Sequence, residues 1–335
     1  MPRHTLTWVK QALRTRVERE LVPKRLARRQ APITSAIRDT VCESLKAHYF
    51  ADSSHATEAF FNSQEGSAAL ADHVERRLLW DRYRVVPWLD SVRRLDGSRI
   101  LEIGCGTGSS TVALAEQGAA VTAIDLDGEA IEVARERCRA HGVTAEFRVL
   151  NATEIAEQFK DRFDWIIFFA TLEHMTHAER LTAMRATWAM LGSGGLWAIV
   201  DSPNRLWWYD AHTGLLPFYH WLPNEVAAAY AVYSPRSELR RRFAHLETLG
   251  DQELAMARTG RGISYHEFEL AIGPLDTLSV VSCLRLFLRR RSLFFLLHWH
   301  FSANPRFEAL LRRFGPSRVQ RAFYQPYLDV VLQKL

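Results

Sequence analysis

Gly104, Gly106 and Gly108 alternate with Cys105 and Thr107 directly after the apolar run RILEI, and a second apolar run, AAVTAID, ends on Asp125. Glycines at a strand-to-helix turn let the backbone bend sharply and let a ligand lie against main-chain N–H groups, because no Cβ stands in the way. A carboxylate that closes the next strand can accept both hydroxyls of a ribose. Residue types and spacing together therefore point to a nucleoside.

Two kinds of nucleoside cofactor use such a loop. A dinucleotide site carries G-x-G-x-x-G, with the pyrophosphate resting on the helix N-terminus. Here the run is G-C-G-T-G-S, Ser109 stands where the last glycine would be, and Glu102 is poorly placed for phosphates. S-adenosylmethionine has a sulfonium, an ammonium and a carboxylate but no phosphate, so an acid beside it is tolerable. The loop fits that cofactor better.

Histidines are the groups to search for a general base, since their reference pKa lies near neutrality. His174 falls in ATLEHM, just past the apolar run FDWIIFFA, on the edge where open α/β sheets bind ligands. The alternative role for Glu173 and His174 is to orient the helix start or touch the cofactor. His212 lies in the insertion SPNRLWWYDAHTGLLPFYHWLP, where Asp210 could fix its tautomer, and it ranks level with His174. His177 is a weaker candidate. Trp207, Trp208, Tyr209, Phe218, Tyr219 and Trp221 of the same insertion could line an apolar lid or pack onto the sheet.

The elements that must position these residues follow from periodicity. From Arg99 onward, RILEI, AAVTAID, AEFRVL, FDWIIFFA and GLWAIVD alternate with helix-length segments, which implies crossover connections and a doubly wound, mostly parallel α/β sheet. Two further strands, ISYHEFELAI (263–272) and YLDVVLQ (327–333), bring the expected total to seven. An aromatic insertion is expected at 203–260 and an Arg-rich helical insertion at 274–322. Residues 1–95 read as a helical extension that opens with a basic amphipathic helix over 5–22, stopped near Pro23.

Composition narrows the classes. A chain of 335 residues that is 47% hydrophobic and 24% charged buries a sizeable core. The net charge of +5 is concentrated at one end, where residues 1–30 hold nine Lys or Arg against two Glu. Together with LRLFLRRRSLFFLLHWHF (284–301), that end could meet a membrane surface peripherally, although a solvated or packed helix is the commoner outcome. Four scattered cysteines and no signal-type apolar core favour a cytoplasmic setting, with contact at the inner face of a membrane as an option. No nucleic-acid partner is expected, and the oligomeric state is open.

LEIGCGTGSSTVALAEQGAAVTAIDLD resembles the first two motifs of class I S-adenosylmethionine-dependent methyltransferases, and FDWIIFFATLEHM with GSGGLWAIVDSPN resembles their later motifs. Within that superfamily the chain is most similar to the ubiquinone-biosynthesis-type small-molecule O-methyltransferases, strongly over about residues 97–203. The resemblance implies a Rossmann-like methyltransferase domain at 96–335. Glu102, Gly104, Cys105 and Gly106 would border the methionine part with Gly108 in the same loop, Asp125 would hold the ribose, and Leu126 would pack on adenine. Where relatives carry an acid for the adenine amino group, this chain has Asn151, followed by Ala152, and the Asn151 carbonyl can still accept a hydrogen bond. Some relatives bind a divalent metal through E-x-x-E-H; here Ala170 replaces the first acid, so no metal is expected to be required. The implied reaction is methyl transfer to a hydroxyl of an apolar small molecule, lipid or glycoconjugate, with Asp210, His174 and His212 as catalytic candidates. N-methylation of a small molecule is the alternative, and nucleic-acid methylation a more distant one.

Overall fold

The computed structural model describes residues 16–51, 57–159, 162–243 and 249–335. Most of the basic helix expected at 5–22 lies outside these residues; its end, 16–21, is helical, and Pro23 precedes the next short helix. Seven strands form one sheet in the order β3-β2-β1-β4-β5-β7-β6. They are β1 (Arg99–Ile103), β2 (Ala120–Asp125), β3 (Glu146–Val149), β4 (Trp165–Phe169), β5 (Leu196–Val200), β6 (Ser279–Cys283) and β7 (Val330–Gln333). The chain divides into two compact units, Met1–Asn151 with Leu286–Ser302, and Ala152–Arg285 with Ala303–Leu335.

In the first unit β1, β2 and β3 run parallel. The helix Gly128–Ala140 crosses back from β2 to β3 and receives the N-terminal helices on its outer side. Val41, Leu45 and Val74 of those helices bury themselves against its Val133. One turn further along, Arg137 is fully buried. Its guanidinium donates to three carbonyls: Thr107 at 2.6 Å, His73 at 2.8 Å and Val74 at 3.1 Å. Burial lowers its pKa to about 10, so it stays charged at neutral pH. That one side chain ties the glycine turn to the N-terminal helices.

Gly108 has a left-handed φ of 81°, and a Cβ there would sit 2.8 Å from Ala134 of the crossover helix. Close packing, which a dinucleotide loop assigns to its last glycine, is done here by Gly108. The helix that follows, Ser109–Ala115, is held from below by Glu102, whose carboxylate accepts from the hydroxyls of Ser110 and Thr111. Glu102 has no solvent exposure, and burial pushes its carboxyl up to about 7 despite those two hydrogen bonds.

In the second unit β4 and β5 are parallel and buried at every position, which is why WIIFF and LWAIV read as unbroken apolar runs. β7 is antiparallel to both β5 and β6. The expected strand at 263–272 is instead a helix, Tyr265–Ile272. Its start is fixed by a capping box in which the Ser264 N–H donates to Glu267 Oε2 at 2.9 Å. Tyr265 and Phe268, three apart, are its buried residues along with Glu267, whose carboxylate meets buried Arg180 at 3.0 Å. The sixth strand lies at Ser279–Cys283, inside the stretch expected to be entirely helical. The Arg-rich segment beyond it breaks at Ser292 into two short helices, Leu284–Arg291 and Leu293–His300. Among the described residues no helix is long and apolar enough to cross a membrane.

Two outcomes follow from the buried charges of the first unit. Arg137→Met leaves three buried carbonyls without their donor, at a cost of about 3 kcal/mol, read as a lower urea midpoint at unchanged slope; a loss under about 1 kcal/mol would show that the guanidinium is not the tie. Glu102 binds a proton in the folded chain that the unfolded chain has already released, so its contribution is full below about pH 4.5 and is lost as pH rises through about 7. Glu102→Gln has no such proton, and the stability difference should move in the variant's favour by about 3 kcal/mol between about pH 5 and about pH 8, measured by denaturant titration at each pH.

Candidate active site

The carboxyl ends of β1, β2 and β3 carry the nucleoside-type residues of the first unit. Gly104 and Cys105 both donate their N–H to the Ile124 carbonyl, which fastens the glycine turn to the end of β2. Asp125 Oδ2 accepts from the Gly106 N–H at 2.7 Å, and Oδ1 from the Asp127 N–H at 3.0 Å. Burial raises the Asp125 carboxyl above its ordinary range against those two bonds. Leu150 donates to the Asp125 carbonyl, so Asn151 follows directly from the end of β3. Leu126 is exposed, and a Cβ at Gly106 would meet no heavy atom within 4 Å. A carboxylate, an exposed apolar side chain and a shelf free of Cβ atoms fit an adenosyl group.

Three of the expected cofactor residues, Glu102, Cys105 and Ala152, are buried. Glu102 commits both oxygens to the hydroxyls beneath the loop, so it supports the turn from inside. The Cys105 thiol is buried and pushed well above its ordinary pKa, which keeps it protonated and unreactive. Ala152 is buried in the short turn Ala152–Glu154, which begins the second unit.

The histidine candidates lie in the second unit, where the chain leaves β4 and β5 through left-handed residues, Ala170 (φ 44°) and Asp201 (φ 58°). The turn Leu172–His174 follows β4. Glu173 is fully buried; Oε2 accepts from the Ser202 hydroxyl at 2.8 Å, while Oε1 accepts no hydrogen bond and lies 3.7 Å from His212 Nε2. His174 Nδ1 is 3.0 Å from the Arg258 carbonyl, and His212 Nδ1 is 3.2 Å from Thr213 Oγ1. The two rings are 5.8 Å apart. Burial lowers the His212 pKa, with Glu173 opposing, so the ring is neutral and can accept a proton. One donor atom from each of Glu173, His174 and His212 falls within 4.8 Å of the others.

Asp210 does not fix the His212 ring, which corrects the sequence expectation. Its carboxylate accepts from the backbone N–H groups of His212, Thr213 and Gly214, and it lies 3.1 Å from His220 Nε2. Although burial opposes it, the His220 ring beside it and the backbone N–H groups hold this carboxyl well below the ordinary range. The physical reason is reach: an aspartate two residues before a turn closes on backbone donors before it can meet the adjacent ring. His177 begins the helix His177–Met190 and lines a separate cavity with Arg205 and Trp221.

The aromatic insertion divides between packing and lining. Tyr219 and Trp207 are buried, the latter edge-on to Phe307 at 5.1 Å. Trp208 and Tyr209, with Trp207, Asp210, His220 and Tyr327, line a cavity of about 320 Å³. The partners that sequence reasoning missed are Ser202, Thr213, Arg258 and Gly260. Nothing in their local sequence marks them, because each acts through a hydroxyl or carbonyl, Thr213 from the His212 turn itself and the others from separate loops.

Residues 100–195 match a methyltransferase-domain family. The ubiquinone biosynthesis O-methyltransferases of Pseudomonas fluorescens and Pseudomonas aeruginosa are each 34% identical over 110 residues, covering 33% of this chain and 47% of theirs. The chain thus spans about half the length of the curated relatives it matches. Among solved structures, an S-adenosylmethionine-dependent methyltransferase from Clostridium acetobutylicum is 19% identical, with 41% of this chain and 56% of that one covered and a TM-score of 0.34. One from Methanosarcina mazei is 29% identical over 32% of this chain and 54% of its own, with a TM-score of 0.30. The glycine turn and Asp125 fall inside the matched span: residues 100–195 carry an S-adenosylmethionine-dependent methyltransferase domain.

Proposed function

We propose that the chain transfers the methyl group of S-adenosylmethionine to a hydroxyl of an apolar small molecule, lipid or glycoconjugate. The observation that carries the cofactor half of this reading is the Asp125 carboxylate, held at the end of β2 by the Gly106 and Asp127 N–H groups. The acceptor half rests on the Glu173–His174–His212 cluster past β4 and on the oxygen chemistry of the relatives named above. In the reaction the acceptor oxygen attacks the methyl carbon, the C–S bond breaks to release S-adenosylhomocysteine, and the hydroxyl proton passes to a base of the cluster. Positioning and that proton acceptor are the protein's contribution, the second amounting to roughly 10²- to 10⁴-fold in rate. The cavity bounded by Trp207, Trp208 and Tyr327 supports an apolar acceptor. Exposed Leu293, Leu296, Leu297 and Phe301, together with Arg289 stacked on Trp299 at 4.1 Å, support its delivery from a lipid surface.

Calorimetry separates the two halves. Wild-type protein should bind S-adenosylmethionine and S-adenosylhomocysteine, and Asp125→Ala should weaken both by about 10- to 100-fold through loss of the charged acceptor for the ribose. A mass-spectrometric screen of hydroxylated apolar compounds should find a product heavier by one CH₂. With that acceptor, His174→Ala or His212→Ala should lower kcat by about 10²-fold or more while cofactor affinity is retained. Full activity in both variants removes the base assignment, and methylated amines in the same screen would replace oxygen by nitrogen.

A further inference from the structure

We propose that Glu173, His174 and His212 hold a divalent ion of the zinc class. The hydrogen bonds around the two imidazoles settle which nitrogen carries the proton. A carbonyl only accepts, so His174 Nδ1 must donate to the Arg258 oxygen, and its Nε2 keeps a lone pair. Thr213 spends its own hydrogen on the Gly260 carbonyl at 2.8 Å, so its oxygen accepts from His212 Nδ1–H, and His212 Nε2 likewise keeps its lone pair. That lone pair faces Glu173 Oε1 at 3.7 Å. The carboxylate is fully buried, and this oxygen has no hydrogen-bond partner.

Two acceptor atoms therefore face each other where a half-buried imidazole meets a fully buried carboxylate, too far apart for a hydrogen bond. Such an arrangement costs free energy unless a cation lies among them. Ligand atoms bound tetrahedrally at about 2.1 Å are roughly 3.4 Å apart, close to the separation already present. The outer contacts have the form a metal site uses: each imidazole donates its far N–H to an oxygen, and the second carboxylate oxygen is held by the Ser202 hydroxyl. Gly260 leaves the room for this, since a Cβ there would lie 2.9 Å from Thr213 Oγ1 and 3.4 Å from each imidazole.

The donor set decides the metal. A magnesium ion asks for oxygen ligands in near-octahedral order, and the position that would supply a second carboxylate is Ala170. One carboxylate and two imidazoles suit zinc or its first-row neighbours, with coordination positions left open. The expectation of no metal considered only the segment after β4. His212 comes from the insertion more than thirty residues later and supplies the missing donor. With the ion bound, His174 and His212 would serve as its ligands in place of the base role given above, and the ion would supply Lewis acidity toward an acceptor hydroxyl whose proton leaves to solvent; the ion site itself does not depend on the methyl-transfer reading.

The test uses the full chain, stripped with a chelator and titrated with Co²⁺ as a spectroscopic probe and Zn²⁺ as competitor. One equivalent of Co²⁺ should produce a visible d–d band that Zn²⁺ abolishes and excess Mg²⁺ does not. His212→Ala should weaken Co²⁺ by at least about tenfold, and Thr213→Val, which keeps all three ligands but removes the hydroxyl that joins His212 to Gly260, by about tenfold. S-Adenosylmethionine calorimetry and circular dichroism on the same samples report whether each variant keeps its fold. Absence of a stoichiometric band in protein that still binds S-adenosylmethionine overturns the metal site and leaves the methyltransferase reading intact. A band unchanged in folded His212→Ala overturns it as well.

Discussion

The guanidinium of Arg137 is the contact on which the cofactor platform depends. A turn with three left-handed glycines loses more conformational freedom on folding than any other five residues of comparable length, so something must hold it. Ala134 and Arg137 share one face of the crossover helix, the first pressing on Gly108 and the second bonding the Thr107 carbonyl. The same guanidinium reaches the His73 and Val74 carbonyls, which makes the N-terminal helices part of the turn's support.

Two carboxylates beneath that turn explain which nucleoside it suits. Glu102 is buried and Asp125 half-buried; burial raises both carboxyls, and the Asp125 charge adds to the rise at Glu102. A pyrophosphate would add negative charge to a place that already resists it. A ligand with a sulfonium and an ammonium relieves the same repulsion, so the electrostatics of the turn select against a dinucleotide. Thr107 is held by its carbonyl and Gly106 by its N–H, which leaves the turn's shape set in advance and its open face available.

Much of this was legible in the chain. The five strands from β1 to β5 coincide with the apolar runs because strands of a covered parallel sheet need apolar residues on both faces. The two misread elements lie where that rule lapses. YHEFELAI alternates polar and apolar residues over a few positions and so imitates a strand, yet the S-Y-H-E start is a capping box and Tyr265 and Phe268 stand three apart. SVVSC is short, only partly buried and paired with a strand some fifty residues later, so its partner cannot be read locally. Glu173, His174 and His212 were visible as residue types, whereas their convergence depends on the Thr213, Gly260 and Arg258 backbone and hydroxyl contacts, which leave no pattern in sequence.

The insertion then has a physical task beyond covering the sheet. Asp210 accepts from three successive backbone N–H groups and lies beside the His220 ring, and together these hold its carboxyl far below the ordinary range. A turn stapled in this way has little freedom left, so the imidazole it carries points where the backbone directs it. Thr213, on the same turn, fixes that imidazole's tautomer. Asp210, expected to fix that ring's tautomer, instead fixes the backbone that carries the ring. It places His212 opposite Oε1 of Glu173, the carboxylate oxygen that accepts no hydrogen bond among the described residues. Chemistry at that point follows from two loops, each rigid for its own reasons, leaving lone pairs that face one another.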